Sequence, residues 1–180
     1  MILSHDQIKE AIEKGEIFID PLDEGAIGPC SVDLTLSDKF TVFKTGKLFS
    51  PLNRDAVRAH SELVDTNGQP FTLSPGQFIL GQTKEKIAIS KRIAGTLEGR
   101  SSVARLGIVV HAAGLVNPGT GLNKPTQLTL EIFCQLNNPV QLIPGMGILQ
   151  IIFHQLSSEA RIGYDERSTS HYVGLEKPII

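Results

Sequence analysis

The sequence predicts a mainly β fold, a barrel or a sandwich, with a helical arm at the N-terminus. Two observations predict this class. Several short segments alternate apolar and polar residues as half-buried strands do, and Gly and Pro separate them about every eight to twelve residues. The length of 180 residues suits a single domain over 1–180.

The first turn of the chain carries the signals of a helix. Ser4 and Gln7 have the spacing of a capping box, in which each side chain bonds the backbone of the other residue. Ile8 and Ile12 then share one apolar face, and Gly15 is expected to end the helix.

The remaining elements are predicted from alternation and from turn residues. Strands are expected in "GEIFIDPL", "CSVDLTLSDKFTVF", "QPFTLSPGQFILGQTKEKIAI", "QLTLEIFCQL" and "GILQIIFHQL". The segment "NNPVQLIPGM" is expected to form turns. Residues 51–70 are polar and irregular, so we expect them to be mobile. The tail from about 163 to 180 is either a disordered end or an arm that closes over a ligand.

Composition excludes some classes of function. Hydrophobic residues make up 41% of the chain, enough for a core, while a net charge of −2 lacks the basic surface of a nucleic-acid-binding protein. No apolar run approaches the length of a membrane span, and the N-terminus becomes charged too early for a signal peptide. We therefore expect a soluble, cytoplasmic protein, with Cys30 and Cys134 as buried free thiols.

The segment "GRSSVAR", residues 99–105, combines several groups that bind anions. Gly99 frees the backbone, Ser101 and Ser102 suit the start of a short helical turn, and a helix start offers unpaired N–H groups. Arg100 and Arg105 add forked cationic donors. The pattern favours phosphate binding, although two arginines near two serines are also common on ordinary surfaces.

A second pattern lies in "QLTLEIF", where alternation places Leu128, Leu130 and Ile132 on one face and Glu131 on the other. A carboxylate in the middle of an apolar strand either pairs with a cation, such as Arg105, or is held there for proton transfer. Both alternatives remain open from the residues alone.

These motifs resemble a known family. "GRSSVARLG", "TLEIF", "QIIF" and the N-terminal "MILSHDQIKEAIEKGEIFIDP…SVDLTL" are similar to the dCTP deaminases of the trimeric dUTPase-like superfamily, from Met1 to about Tyr172. The resemblance implies a distorted β-barrel, the dUTPase-like β-clip, with a short N-terminal helix and additional small helices. It also implies a homotrimer with active sites between subunits, and nucleotides of the dCTP, dUTP or dTTP type bound with Mg²⁺ chelated by the triphosphate.

The resemblance also implies roles for individual residues. Substrate binding falls to Arg100, Ser101, Ser102, Val103, Ala104, Arg105, Asn117, Thr129, Leu130, Glu131, Gln150, Tyr164 and Tyr172. Among them, Glu131 is the expected general acid and base, and Ser101 and Arg105 are expected to reach in from the neighbouring subunit as catalytic residues.

The expected chemistry is hydrolytic deamination, in which water adds to C4 of cytosine and ammonia leaves. Glu131 would take a proton from water and deliver it to N3 and then to the amine, Ser101 would orient the water, and Arg105 would keep Glu131 ionised. The zinc route of other nucleobase deaminases needs a Cys-x-x-Cys motif. This chain has none, and His111 is interpreted as a histidine at a strand end, so we expect no zinc.

The chain departs from the family around the sugar and base. Deaminases that also hydrolyse the triphosphate usually carry Thr or Asn, an aromatic residue and Asp where this chain has Ala112, Leu115 and Asn117. Asn117 can bond a deoxyribose 3′-hydroxyl, but it cannot act as a base. The extra residues "TGLNKP", 120–125, also lengthen the loop that leads to Glu131.

The tail departs as well, with His171 before Tyr172 in place of Lys and with Leu175 in place of Gln. Phosphate contacts there are expected to be weaker. The leading hypothesis is a dCTP deaminase that releases dUTP and ammonia. The alternatives are a bifunctional enzyme that gives dUMP, which Asn117 argues against, and a nucleotide-binding member with weakened catalysis.

Overall fold

The computed structural model describes residues 1–46, 50, 53–111, 113–174 and 176–178, with His111 described by its backbone alone. Within these residues the helices are α1 (His5–Glu13), α2 (Arg54–Ala59) and α3 (Ser101–Ala104). The strands are β1 (Ile17–Asp20), β2 (Val32–Thr35), β3 (Lys39–Phe43), β4 (Ser61–Asp65), β5 (Phe71–Leu73), β6 (Phe78–Ile89), β7 (Ile93–Gly99), β8 (Ile108–His111), β9 (Leu115–Val116), β10 (Thr126–Cys134), β11 (Val140–Leu142) and β12 (Gly147–Gln155).

The strands form two main antiparallel sheets. The larger sheet has the order β4-β3-β6-β10-β8, with β1 paired to the far end of β6. The second has the order β2-β12-β7-β9, and β11 pairs with β5 in a small third sheet. The prediction of a mainly β fold with few short helices is confirmed.

One hydrophobic core joins the two main sheets. Phe40 and Ile79 of the larger sheet and Leu34 and Phe153 of the smaller one are fully buried and belong to the same cluster. Alternation along strands such as β2 and β12 places these residues on the inner face and polar residues on the outer face, whereas β6 is buried over most of its length. The outer faces are therefore the surfaces on which functional side chains can lie.

Helix α1 forms as the sequence predicts. The Ser4 backbone N–H donates to Oε1 of Gln7 at 3.0 Å, so the expected capping contact is present. Ile8 is fully buried, and Gly15 follows the helix with a φ of 70°. Glycine adopts this left-handed conformation without the clash that a Cβ would introduce.

One expectation about an irregular segment is wrong. Residues 51–70 contain α2 and β4, which pairs along its whole length with β3. Strand β4 lies at an edge of the sheet, where polar residues face solvent and hide the alternation of a strand. The segment expected to form turns does so at Pro144 and Gly145, and it also contains β11, whose three residues pair with β5.

The two cysteines differ in their exposure. Cys134 is buried in the core as expected, whereas Cys30 is exposed in the loop before β2, so the prediction of a buried thiol is wrong there. Pairing between Ile27 and Val32 closes that loop and leaves Cys30 at its outer end. None of the helices formed by the described residues is long and apolar enough to span a membrane.

Candidate active site

The outer face of the larger sheet carries a polar row at its centre. Glu131 on β10 lies opposite Leu80 on β6, and Thr129 lies opposite Gln82. Directly opposed residues share one face of a sheet, so all four side chains leave the same surface. His111, the last residue of β8, pairs with Glu131 from the other side and is indeed at a strand end.

A cavity of about 590 Å³ opens on this face. Its lining contains five of the predicted site residues, which are Asn117, Thr129, Glu131, Tyr164 and Tyr172. Glu131 is half-buried, and its Oε2 atom is shielded from solvent. A carboxylate oxygen removed from bulk water can hold a single water molecule for proton transfer.

An irregularity in β10 changes the surroundings of Leu128. The pairing of β10 with β6 shifts between Gln127 and Thr129, and the Leu128 N–H donates to Oγ1 of Thr83 at 2.9 Å. Leu128, which alternation places on the face opposite Glu131, therefore borders the cavity as well as packing against the core. A shift of this kind interrupts strict alternation, which is why the sequence pattern misplaces this residue.

The loop that follows β9 supplies another wall of the cavity. Asn117 and Leu115 both line it, whereas Ala112 lies outside the described residues. The carbonyl of Asn117 accepts hydrogen bonds from the N–H and the hydroxyl of Thr120, at 3.1 and 2.7 Å. This turn fixes the backbone from which the Asn117 side chain reaches the cavity.

The extra residues 120–125 are held against the start of the tail. The carboxylate of Asp165 accepts from the N–H of Gly121 at 3.3 Å and from that of Asn123 at 3.0 Å. Gly121 has a φ of 79°, and a Cβ there would overlap the carbonyl oxygen of Ile87. The longer loop therefore depends on a glycine to pass close to β6.

The described part of the tail lies on the face that carries Glu131. The N–H of Tyr164 donates to the carbonyl of Pro118 at 2.8 Å, and Nε2 of Gln82 donates to the carbonyl of Glu176 at 3.4 Å. Lys124 and Glu176 form an ion pair of 2.6 Å. Leu175 lies outside the described residues.

The tail also contains a pair of rings in contact and a carboxylate that is bonded to the backbone. The His171 and Tyr172 rings meet edge to face, with centroids 6.2 Å apart. The Gly163 N–H donates to Oε2 of Glu166 at 2.6 Å, and this bond, with help from the Lys91 ammonium, lowers the pKa of the Glu166 carboxyl.

The predicted phosphate loop lies elsewhere in the chain. Arg100 caps α3, the side chains of Ser101, Ser102 and Arg105 are exposed, and Ala104 is exposed beside them. The predicted short helical turn is present, with the two serines as its first residues. None of these residues is among the described ones that line the cavity.

Two of the predicted binding residues have buried side chains. Val103 is 4% exposed, and Leu130 is fully buried, because both side chains pack into the core. A contact of either residue with a ligand would therefore be made by its backbone atoms.

Gln150 and Arg100 are held together on the outer face of the smaller sheet. Oε1 of Gln150 accepts from the Ser31 hydroxyl at 2.9 Å, and Arg100 pairs with Asp33 at 3.2 Å. Arg100 also borders a second cavity of about 450 Å³. The predicted residues therefore form two groups within the chain, one around Glu131 and one around Arg100.

Sequence reasoning missed several residues of the cavity, among them two aromatic rings and one cation. The Phe43 and Phe78 rings line it side by side, with centroids 5.6 Å apart, and the parity of β3 and β6 could have identified them. The guanidinium carbon of Arg54 lies 5.7 Å from the centre of the Tyr172 ring. Arg54 begins α2, which the sequence did not predict, so no signal pointed to it.

Comparison with known proteins supports one family. Residues 2–156 match the model of a family described as dCTP deaminase-like. A protein of Dictyoglomus thermophilum named "dCTP deaminase, dUMP-forming" is 40% identical, over 99% of this chain and 92% of its own length. One of Methanopyrus kandleri with the same name is 42% identical, over 98% and 93%. One of Natronomonas pharaonis, named "dCTP deaminase", is 40% identical, over 99% and 92%.

Solved structures agree on the fold. A 2′-deoxycytidine 5′-triphosphate deaminase from Agrobacterium tumefaciens matches 86% of this chain with a TM-score of 0.66 and 22% identity, and this chain spans about half (48%) of that one. A dUTPase from phage phi11 of S. aureus matches 80% of this chain and 93% of its own, with a TM-score of 0.50 and 12% identity. The names of the sequence relatives favour the dUMP-forming alternative over release of dUTP. The chain belongs to the dCTP deaminase family.

Proposed function

We propose that this dCTP deaminase removes the 4-amino group of dCTP in the cavity beside Glu131 and releases the product as dUMP. One observation carries the first part. Among the described residues that line the cavity, Glu131 is the one carboxylate, and its Oε2 atom is shielded from solvent. Proton transfer during deamination needs a group of this kind within reach of a single water molecule.

The first reaction consumes one water and yields dUTP and ammonia. Glu131 accepts a proton as water adds to C4 and passes it to N3; it then takes the proton of the new C4 hydroxyl and delivers it to the amine as the C4–N bond breaks. Asn117 and Thr129 lie on the same cavity wall and offer polar groups to the sugar and the base. Apolar neighbours such as Leu97 and Val116 exclude further water from the reacting carbon.

The active site takes residues from two subunits of a homotrimer. Ser101 and Arg105 are exposed on the surface of one subunit and lie outside the lining of its own cavity. In a closed ring, such a surface can complete the cavity of the next subunit. There Ser101 orients the attacking water, and Arg105 stabilises the ionised form of Glu131.

The substrate is dCTP with Mg²⁺ chelated by its phosphates. The described residues contain no cluster of three His, Cys, Asp or Glu side chains suited to a metal ion. A metal carried by the phosphates fits such a chain, because the protein then binds the phosphate oxygens through donors such as Arg100 and Gln150. Bound in this way, Mg²⁺ offsets phosphate charge.

The second reaction consumes another water, which attacks the α-phosphate and releases diphosphate. The names of the relatives from Dictyoglomus thermophilum and Methanopyrus kandleri support this step. Asn117 cannot activate that water, since an amide has no basic group at neutral pH. Among the described residues that line the cavity, Glu131 is the carboxylate that can act as a base, and it serves both steps.

The test is a separation of products. Purified protein is incubated with dCTP and Mg²⁺, and dCTP, dUTP and dUMP are resolved over time. We expect dUMP, diphosphate and ammonia, with dUTP at most transient. Stable dUTP would overturn the second step and leave the first. Nucleotide binding without any product would show a binding protein and overturn both.

A further inference from the structure

The Arg100 side chain forms an ion pair with a residue on a strand two places away in the smaller sheet. The residue follows β7, and its Nη2 atom lies 3.2 Å from Oδ2 of Asp33 on β2. Strand β12 lies between β7 and β2, so the Arg100 side chain crosses β12 to reach its partner. An extended side chain of this length adopts one such path only when its end is fixed.

Gly147 on β12 provides the room for this crossing. A Cβ at Gly147 would overlap Nη1 of Arg100 and lie 3.0 Å from its central guanidinium carbon. The φ of Gly147 lies outside the left-handed region, so the backbone itself accepts alanine. The side chain of Arg100, and not the backbone, is what a larger residue at position 147 would disturb.

The ion pair is suited to orientation more than to stability. The side chains of Arg100 and Asp33 are 36% and 37% exposed, and exposed ion pairs contribute little to folding. Fixing one edge of the guanidinium on a carboxylate leaves its other N–H groups in a set direction. Ser31, two residues before Asp33, holds Gln150 in the same manner through Oε1.

We propose that Asp33 is a positioning residue, which aims the Arg100 guanidinium at the phosphates of the substrate through the space left by Gly147. The inference rests on the proposed function, in which Arg100 contacts the triphosphate. Asp33 itself carries the wrong charge for a phosphate contact, and it therefore acts through Arg100.

The test is a double-mutant cycle on the full-length enzyme with Mg²⁺–dCTP. Arg100→Ala should raise KM about 10- to 100-fold, as loss of a charge-assisted phosphate contact does. Asp33→Asn and Gly147→Ala should each raise KM about 3- to 10-fold and leave kcat and the melting temperature near those of the parent. In the Arg100→Ala background both changes should have almost no further effect on KM.

A matched control is Glu10→Gln, which breaks the exposed Lys14–Glu10 pair on α1 and should leave KM unchanged. An unchanged KM in Arg100→Ala would overturn the phosphate role of Arg100 and with it that part of the proposed function. A raised KM in Arg100→Ala with no change in Asp33→Asn would overturn the positioning role alone. Equal effects of Asp33→Asn in both backgrounds would also overturn it, because Asp33 would then act independently of Arg100.

Discussion

Two regions of this chain carry nearly all the predicted site residues, and they differ in polarity. The cavity face, the outer face of the larger sheet around Glu131, is mostly apolar, and the tail lies over it. The loop edge, α3 together with Arg100 and Gln150, is polar and charged, and a second cavity lies beside Arg100. Proton transfer is favoured by the first environment and phosphate binding by the second, since phosphates remain partly hydrated.

A pair of glutamates sharpens this comparison. Glu85, near the loop edge, is buried, and its oxygens accept from the N–H and the hydroxyl of Thr35 at 2.9 and 2.5 Å. Glu85 borders the second cavity, beside Arg100, and Glu131 borders the cavity of about 590 Å³. A carboxylate whose two oxygens are both bonded to a strand stabilises that strand, whereas one that faces the reacting base can exchange protons with it.

The largest expected effect follows from Glu131→Gln. The amide keeps the size of the side chain and its capacity for hydrogen bonds but cannot take a proton. Turnover of dCTP should fall by about 10²–10⁴-fold, while nucleotide binding and the melting temperature stay close to those of the parent. Steady-state kinetics and a melting curve on one preparation measure both quantities.

Glu85→Gln is the matched control, and the opposite outcome is expected of it. Replacing the carboxylate leaves Thr35 with a poorer acceptor, so the free energy of unfolding should drop by about 1–3 kcal/mol while kcat per folded molecule is kept. A Glu131→Gln protein that melts early but deaminates normally would reverse the roles of the two carboxylates.

The second prediction tests whether the two regions meet between subunits. Arg105→Ala and Glu131→Gln should each be nearly inactive alone. After the two proteins are unfolded, mixed and refolded together, about a quarter of the sites should hold both native residues if each site takes Arg105 from a neighbour. Activity should rise to about that fraction of the parent value.

The control for this mixture is the double variant Arg105→Ala/Glu131→Gln refolded with either single variant, which cannot form a native site. Sedimentation of the mixture should show a trimer. If mixing restores no activity in a protein that has refolded as a trimer, both residues serve the same subunit and the shared site is wrong.

The third prediction concerns the product and Asn117. Asn117→Asp places a carboxylate on the cavity wall opposite the sugar, where it can activate a second water. The rate of dUMP formation from dUTP should rise by about tenfold or more, with deamination of dCTP changed less. Chromatography of products from each nucleotide measures the two rates. A fall in dUMP formation would show that Asn117 serves this step as an amide.

Elements with strong local signals could be predicted from the sequence. Helix α1 has a capping pair and a terminal glycine, and the alternation of β10 locates Glu131 on the outer face. Edge strand β4 and helix α2 escaped prediction because their stability comes from pairing with β3 and from packing, which polar sequences do not reveal. Arg54 was missed for the same reason, because it lies in α2.

Residue types at the site could be predicted better than their surroundings. The motif around Arg100 indicated phosphate binding, but its partner Asp33 is distant in sequence and is joined to it only by the order of the strands. Asp165 in the tail is likewise distant in sequence from the loop 120–125, to which it is hydrogen-bonded. Contacts between distant segments depend on topology, which local patterns do not contain.

The smallest expected effect concerns the start of the tail at the cavity face. The Gly163 N–H and the Lys91 ammonium lower the pKa of the Glu166 carboxyl below its ordinary value. A carboxyl with a lowered pKa in the folded state adds stability above its unfolded pKa, and this contribution disappears as the pH falls through the folded pKa. Glu166→Gln should therefore lower the melting temperature slightly at pH 7, and the difference from the parent should vanish in strong acid. Melting curves of both proteins across this range measure the difference, with Glu10→Gln as a control for an exposed ion pair away from the tail. A difference that grows as the pH falls would contradict the assigned contact, and the tail would then be held at the cavity face by Asp165 and Tyr164 without Glu166.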